Sequence, residues 1–292
     1  MNVVTVLGNL VFLHGFGPIP PMGVAGVAIA TNLSKFTAVA ILAWFFAKKV
    51  PIKFSWKAFT PFPLRTIAKL GRIGLPAGLE DLSYNIAQVT LLAMVNMFGT
   101  ATVAARVYTG ILAVLCYLFA SALSQASQVV CAHLAGAGRL DEVDHRSRRT
   151  TVVAVSVSFG TTLAIFLASD SILKLFTTDA AVIALVRSVL VVELWLESAR
   201  TVNVILVRTM QAIGDVDYPL KVGLVSMWLV QVGGAYLLGV VLQMGLVGIW
   251  IALASDETVR ALLFIRRWSK GTWRSMVGRL SDNPKQAVQH RE

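Results

Sequence analysis

Long apolar runs of about 20 residues, separated by short polar stretches, constrain this 292-residue chain more than any motif in it. They fall at roughly 1–16, 23–47, 71–97, 101–134, 150–169, 180–210, 219–242 and 245–266. In hydrocarbon every backbone N–H and C=O must be satisfied within the protein, which leaves only helices and closed barrels. A barrel strand needs ~10 residues of alternating polarity, so runs of this length predict an all-α polytopic membrane protein with eight transmembrane helices. Composition agrees, with 56% hydrophobic and 14% charged residues and a mean hydropathy of +0.72. Soluble domains carry about a quarter charged residues.

The net charge of +11 is a matter of topology rather than of nucleic acid. Segments 48–72, 139–149, 208–221 and 266–291 hold 7, 4, 2 and 7 Lys or Arg, whereas the opposite loops hold Arg106, Lys174 and Arg187. The excess marks the cytoplasmic side and puts both termini there, as an even number of spans requires. A multi-pass protein of the cytoplasmic (inner or plasma) membrane follows, with the lipid bilayer as its main partner and no nucleic-acid role. Cys116 and Cys131 share one apolar run 15 residues apart, roughly 22 Å on a helix, which forbids a disulfide and makes them small core residues.

Two features suggest that helices precede Met1. The first run, as a helix, reaches ~24 Å against a bilayer core of ~30 Å and reads as a helix lacking its start. MGVAGVAIA at 22–30 and MGLVGIWIA at 244–252 share five of nine residues at an offset of 222, each opening an apolar span. A repeat of that period places the counterpart of the region from 71 onward mostly upstream of the first residue.

Charges inside the bilayer cost several kcal/mol each on insertion scales and need a partner, a cavity or a titrating role. On the third span Glu80, Tyr84 and Gln88 follow Pro76 at i, i+4 and i+8, with Asp81 and Asn85 on the next stripe, and Pro76 is expected to bend or open the helix. On the sixth, Glu193, Glu197 and Arg200 share a face with Asn203 a turn further on. Arg200 can pair with Glu197, which leaves Glu193 without a cation on its own helix. On the eighth, Asp256 and Glu257 stand four and three residues before Arg260, one cation for two acids. Lys35 occupies the repeat position of Glu257 and reads as a buried partner for one of these acids. The candidate coupling carboxylates are therefore Glu80, Asp81, Glu193, Glu197, Asp256 and Glu257, and the candidate polar lining is Tyr84, Gln88, Arg200, Asn203 and Lys35. Met94, Met97, Trp195, Trp228 and Trp250 read as packing or interface anchors.

GPIPPMGVAGVAIAT at 17–31, ALSQASQVVCAHLAGAGRLDEV at 122–143 and QAIGDVDYPL at 211–220 resemble loop and helix-end motifs of the multidrug and toxic compound extrusion (MATE) family. GLPAGLEDLSYNIAQ at 74–88, ESARTVNVILVRTMQAIGDV at 197–216 and GIWIALASDETVRALLFIRRWSKGTW at 248–273 extend the resemblance to about residue 275. It implies twelve helices in two six-helix lobes, of which the chain supplies the fifth to twelfth. Residues 1–47 are then the last two helices of the N-terminal lobe, 48–70 a basic cytoplasmic linker, 71–266 the complete C-terminal lobe and 267–292 a basic tail.

The resemblance further implies a Na+- or H+-coupled antiporter that exports cationic or amphipathic small molecules, with no cofactor beyond the coupling ion and the first four helices as a partner. Its acids on the seventh and tenth family helices correspond only approximately to Glu80 and to Glu193 or Glu197. The alternatives are an inactive fragment or split-gene product, and a lipid or polysaccharide flippase of the same superfamily. Six intramembrane acids against three bases, Lys35, Arg200 and Arg260, lean away from the anionic cargo of a flippase. A membrane-embedded enzyme lacks its motifs, since paired Asp-rich metal sequences are missing and His14, His133, His145 and His290 form no constellation.

Overall fold

The computed structural model describes residues 2–15, 20–49 and 64–274; the side chains of His14, of residues 65–77, and of Glu80 and Asp81 lie outside the described set. Every element among the described residues is helical: α1 Asn2–His14, α2 Gly23–Lys49, α3 Leu64–Asn96, α4 Thr100–Gly136, α5 Leu140–Leu173, α6 Ala180–Ala212, α7 Asp217–Val241 and α8 Gly245–Ser269. The eight helices stand where the eight apolar runs do. Two begin earlier than hydropathy suggests, α3 at Leu64 and α5 at Leu140. The polar turns preceding those runs are helical too, and α5 carries Asp141 and Glu142 in its first turn, where they complement the helix dipole. α3 is helical through Pro76, so the proline does not open it.

α2, α4, α5 and α7 are long and apolar enough to cross a membrane by length and composition alone. α6 and α8 carry the interior charges instead. The chain divides into two compact units, Met1–Leu70 and Gly71–Glu292.

In the second unit α6 packs against α4, α5 and α8. The buried face of α4 runs Thr102, Ala105, Thr109, Leu112, Cys116, Ala120, Ser124, Ser127, Cys131 and Ala135, a stripe of mostly small residues. α5 buries Ser147, Thr150, Ala154, Ser158, Thr162 and Ser169 in the same way. Bulky apolar groups such as Leu115, Leu118, Val152 and Leu167 point outward. This is the pattern of helices packed in lipid, where tails are as apolar as Leu and association relies on close backbone approach. Several interior hydroxyls are satisfied on their own helices: Thr109, Thr162 and Thr209 donate to Ala105 O, Ser158 O and Ile205 O at 2.9, 2.8 and 2.8 Å.

α7 is not a uniform helix. It runs α over Asp217–Ser226, π over Met227–Val232, α over Gly233–Ala235 and π over Tyr236–Val241. Wide π turns shift the register of the residues after them and recur at functional positions.

The internal repeat is structural as well as sequential. Gly23 and Gly245, 222 residues apart, open α2 and α8 with φ of 54° and 58°, a conformation that disfavours any side chain. In one hairpin Met22 N donates to Phe12 O at 2.9 Å; in the other Met244 N donates to Leu238 O at 3.1 Å. The same two carbonyls crowd Gly26 and Gly248, whose missing Cβ atoms would lie 2.5 and 2.7 Å from them. Gly8 faces Ala30 as Gly234 faces Ala252. Ser34 and Lys35 are thus the repeat counterparts of Asp256 and Glu257, and both Ser34 and Asp256 are buried.

Candidate functional site

α3, α4, α6, α7 and α8 line an open cavity of about 730 Å³ within the second unit. Tyr84 and Gln88 reach it from α3, Tyr117 from α4, Arg200, Asn203, Arg208 and Gln211 from α6, Gln231 from α7, and Asp256, Glu257 and Arg260 from α8. The α6 residues share a face because they recur at helical spacing from 200 to 211. Gln231 arrives through the first π section of α7.

A charge network spans α6 and α8. Arg200 Nη1 lies 2.8 Å from Glu197 Oε2 and 3.5 Å from Glu193 Oε1, and its Nε lies 3.7 Å from Glu257 Oε1. Arg260 pairs with Asp256 and stands 4.0 Å from Glu257 Oε1. Neutral donors fill in around these pairs: Asn203 Nδ2 donates to Glu257 Oε2 at 2.5 Å, Ser158 Oγ to Glu197 Oε1 at 3.3 Å, Trp250 Nε1 to Glu193 Oε2 at 2.7 Å, and Ser226 Oγ to Asp256. Thr201 supports Ser158 at 3.0 Å. The guanidinium of Arg200 also lies 6.0 Å from the ring centroid of Tyr117, within cation–π range.

Glu193 therefore does have a cation on its own helix, contrary to the expectation from sequence. Arg200 reaches it across two turns while still serving Glu197. Glu193 and Glu197 are 1% and 0% exposed, so they lie behind the cavity rather than on it. Asp256, also 1% exposed, and Glu257 line it. The side chains of Glu80 and Asp81 lie outside the described set. Lys35 is exposed on α2 within the first unit rather than buried as the sequence suggests. Tyr117, Ser158, Arg208, Ser226, Gln231 and Trp250 join the site only through packing; in sequence only Arg208 and Trp250 carry a visible signal, and each has a commoner explanation.

Four carboxylates, Glu193, Glu197, Asp256 and Glu257, share two guanidiniums, Arg200 and Arg260. With all six ionised the network would carry two uncompensated negative charges.

The second unit is thus a helical membrane unit with an open polar cavity beside a buried, acid-rich ion-pair network. Comparison with known proteins gives the family: the MatE family model matches residues 76–237, and the chain belongs to that family. An "uncharacterized transporter YisQ" of Bacillus subtilis is 30% identical over 273 residues, covering 94% of this chain and 60% of the relative. A "probable multidrug resistance protein NorM" of the same organism is 26% identical over 269 residues, covering 88% of this chain and 58% of the relative. The Vibrio cholerae MATE transporter VcmN, in its bent form, superposes with a TM-score of 0.77 at 18% identity, over 94% of this chain and 60% of that structure. The chain thus spans about 60% of the length of the curated relatives it matches.

Proposed function

We propose that this chain acts in cation-coupled export of amphipathic small molecules, exchanging Na+ or H+ inward for cargo outward. The observation that carries the reading is the ratio of four buried or half-buried acids to two arginines beneath a cavity of about 730 Å³. That volume suits one drug-sized molecule. An incoming proton or monovalent cation neutralises the acids, and cargo binding at Asp256 and Glu257 responds to the same balance. The orientation follows the basic segments, with both termini in the cytoplasm and the chain in the cytoplasmic membrane.

The test is reconstitution of the full chain in vesicles loaded with a fluorescent cationic dye, under separately imposed Na+ and H+ gradients. Gradient-dependent efflux that falls at least ~10-fold in E197Q and in E257Q supports the reading. Efflux indifferent to both gradients removes the coupling. Absence of efflux from the unsubstituted chain favours an inactive fragment.

A further inference from the structure

Five charged side chains line the cavity, the arginines 200, 208 and 260 and the acids Asp256 and Glu257. Three positive against two negative charges leave the wall at +1, although the buried network behind it is acid-rich. Arg200 and Arg260 are committed to carboxylates. Arg208 is not: it is exposed, and among the described residues its side chain has no hydrogen bond or ion pair. It lies eight residues along α6 from Arg200, about 12 Å at helical rise. Hence the cavity is bipolar along α6, with its acids near Arg200 and an unpaired guanidinium towards the end of α6 that leads into α7. Around that second end the lining is Gln211, Pro219, Gly223 and Phe264, with no acid.

We propose that Arg208 is the docking point for an anionic group on the exported molecule. The cargo is then an amphiphile whose carboxylate or phosphate is set apart from whatever meets Asp256 and Glu257, not a simple lipophilic cation. A guanidinium presents a planar fork of donors that matches a carboxylate or phosphate in two parallel bonds, which Lys reproduces only as a point charge. Gln211, one turn on, supplies an amide donor or acceptor beside it. The inference rests on the cavity being the cargo site of the proposed exporter.

Two dyes that differ only at one carboxylate provide the probe: rhodamine 110, which carries a free carboxylate, and rhodamine 123, its methyl ester. Binding to the purified full chain in detergent is read by fluorescence anisotropy for the unsubstituted protein, R208Q and R208K, each shown to be monodisperse. The expected result is tighter binding of rhodamine 110 than of the ester. R208Q loses that preference, with Kd for rhodamine 110 rising ~10-fold while the ester is unaffected, and R208K keeps only part of it. Binding of both dyes with a ratio unchanged by R208Q overturns the assignment of Arg208 and leaves the cavity as the cargo site. Failure of either dye to bind the unsubstituted protein removes the cavity reading, and this assignment with it.

Discussion

Trp250 of α8 donates its indole N–H to the carboxylate of Glu193 on α6 at 2.7 Å, joining the two helices inside the second unit where both residues are nearly inaccessible. The second carboxylate oxygen of Glu193 is buried with no hydrogen bond and has only the Arg200 guanidinium at 3.5 Å. Removing the indole donor therefore strips a buried carboxylate of its one short bond. W250F is expected to destabilise the protein by about 1–3 kcal/mol. Thiol-reactive dye labelling during heating measures this directly, because Cys116 and Cys131 are free and buried. Adding E193Q to W250F recovers part of the loss, since a neutral amide is less costly to bury. An unshifted melting temperature for W250F would refute the role given to this bond.

Arg200 serves Glu193, Glu197 and Glu257 at once, and no other described cation approaches Glu193 or Glu197. R200M leaves the buried Glu193 and Glu197 without a cation and Glu257 with only Arg260 at 4.0 Å, and is expected to lose about 3–5 kcal/mol, or to fail to accumulate. Combining R200M with E197Q gives back a measurable part, whereas additive losses would show that the two groups are not coupled.

Much of this arrangement is legible from sequence, and the limits have physical causes. Span positions follow from hydrophobic length, and the shared face of Glu193, Glu197, Arg200 and Asn203 follows from helical spacing. The 222-residue repeat, five matches in nine residues, corresponds to the same glycine φ and the same crowded carbonyl in both hairpins. Three things depend on helix-to-helix packing and have no local signature. Trp250 looks like any interface anchor until α6 is beside it. Arg208, one turn from a helix end, counts as a topology signal because its freedom from partners is invisible in one dimension. A count of six acids against three bases describes the membrane interior, whereas the cavity wall holds two acids and three arginines, one of which, Arg208, counts with the loops in sequence; the remaining acids are buried behind it or lie outside the described side chains.

Gly248 makes a sharp packing prediction. A Cβ there would lie 2.7 Å from Leu238 O and 2.8 Å from Leu238 C, and backbone cannot move aside cheaply. G248A is expected to cost about 1–3 kcal/mol. Gly160 on α5 meets nothing within 4 Å, so G160A is expected to be neutral or to stabilise by about 0.5–1 kcal/mol through helix propensity. Equal melting temperatures for the two variants would mean that the α7–α8 hairpin is looser than described.

At the polar ends of α5 and α8, Asp144 accepts from Trp268 Nε1 at 2.7 Å and from Arg148 Nε at 3.0 Å, and Trp268 stacks on Trp273 with ring centroids 4.5 Å apart. Partial burial pushes the Asp144 carboxyl up, but these two hydrogen bonds and the Arg148 and Arg274 charges outweigh it and hold the group below its ordinary value. A carboxyl depressed in the folded state binds protons more weakly there than in the unfolded chain. Its contribution is then complete above the ordinary carboxylate pKa of about 3.9 and is lost as pH falls through the folded value. D144N is accordingly expected to lower stability by about 1 kcal/mol at pH 7, allowing for the quarter of the side chain that water still reaches. The gap between D144N and the unsubstituted protein should close below about pH 4. Melting curves of both proteins from pH 7 to pH 3 decide the matter: a gap independent of pH would assign the loss to altered packing of Trp268 rather than to the charge on Asp144.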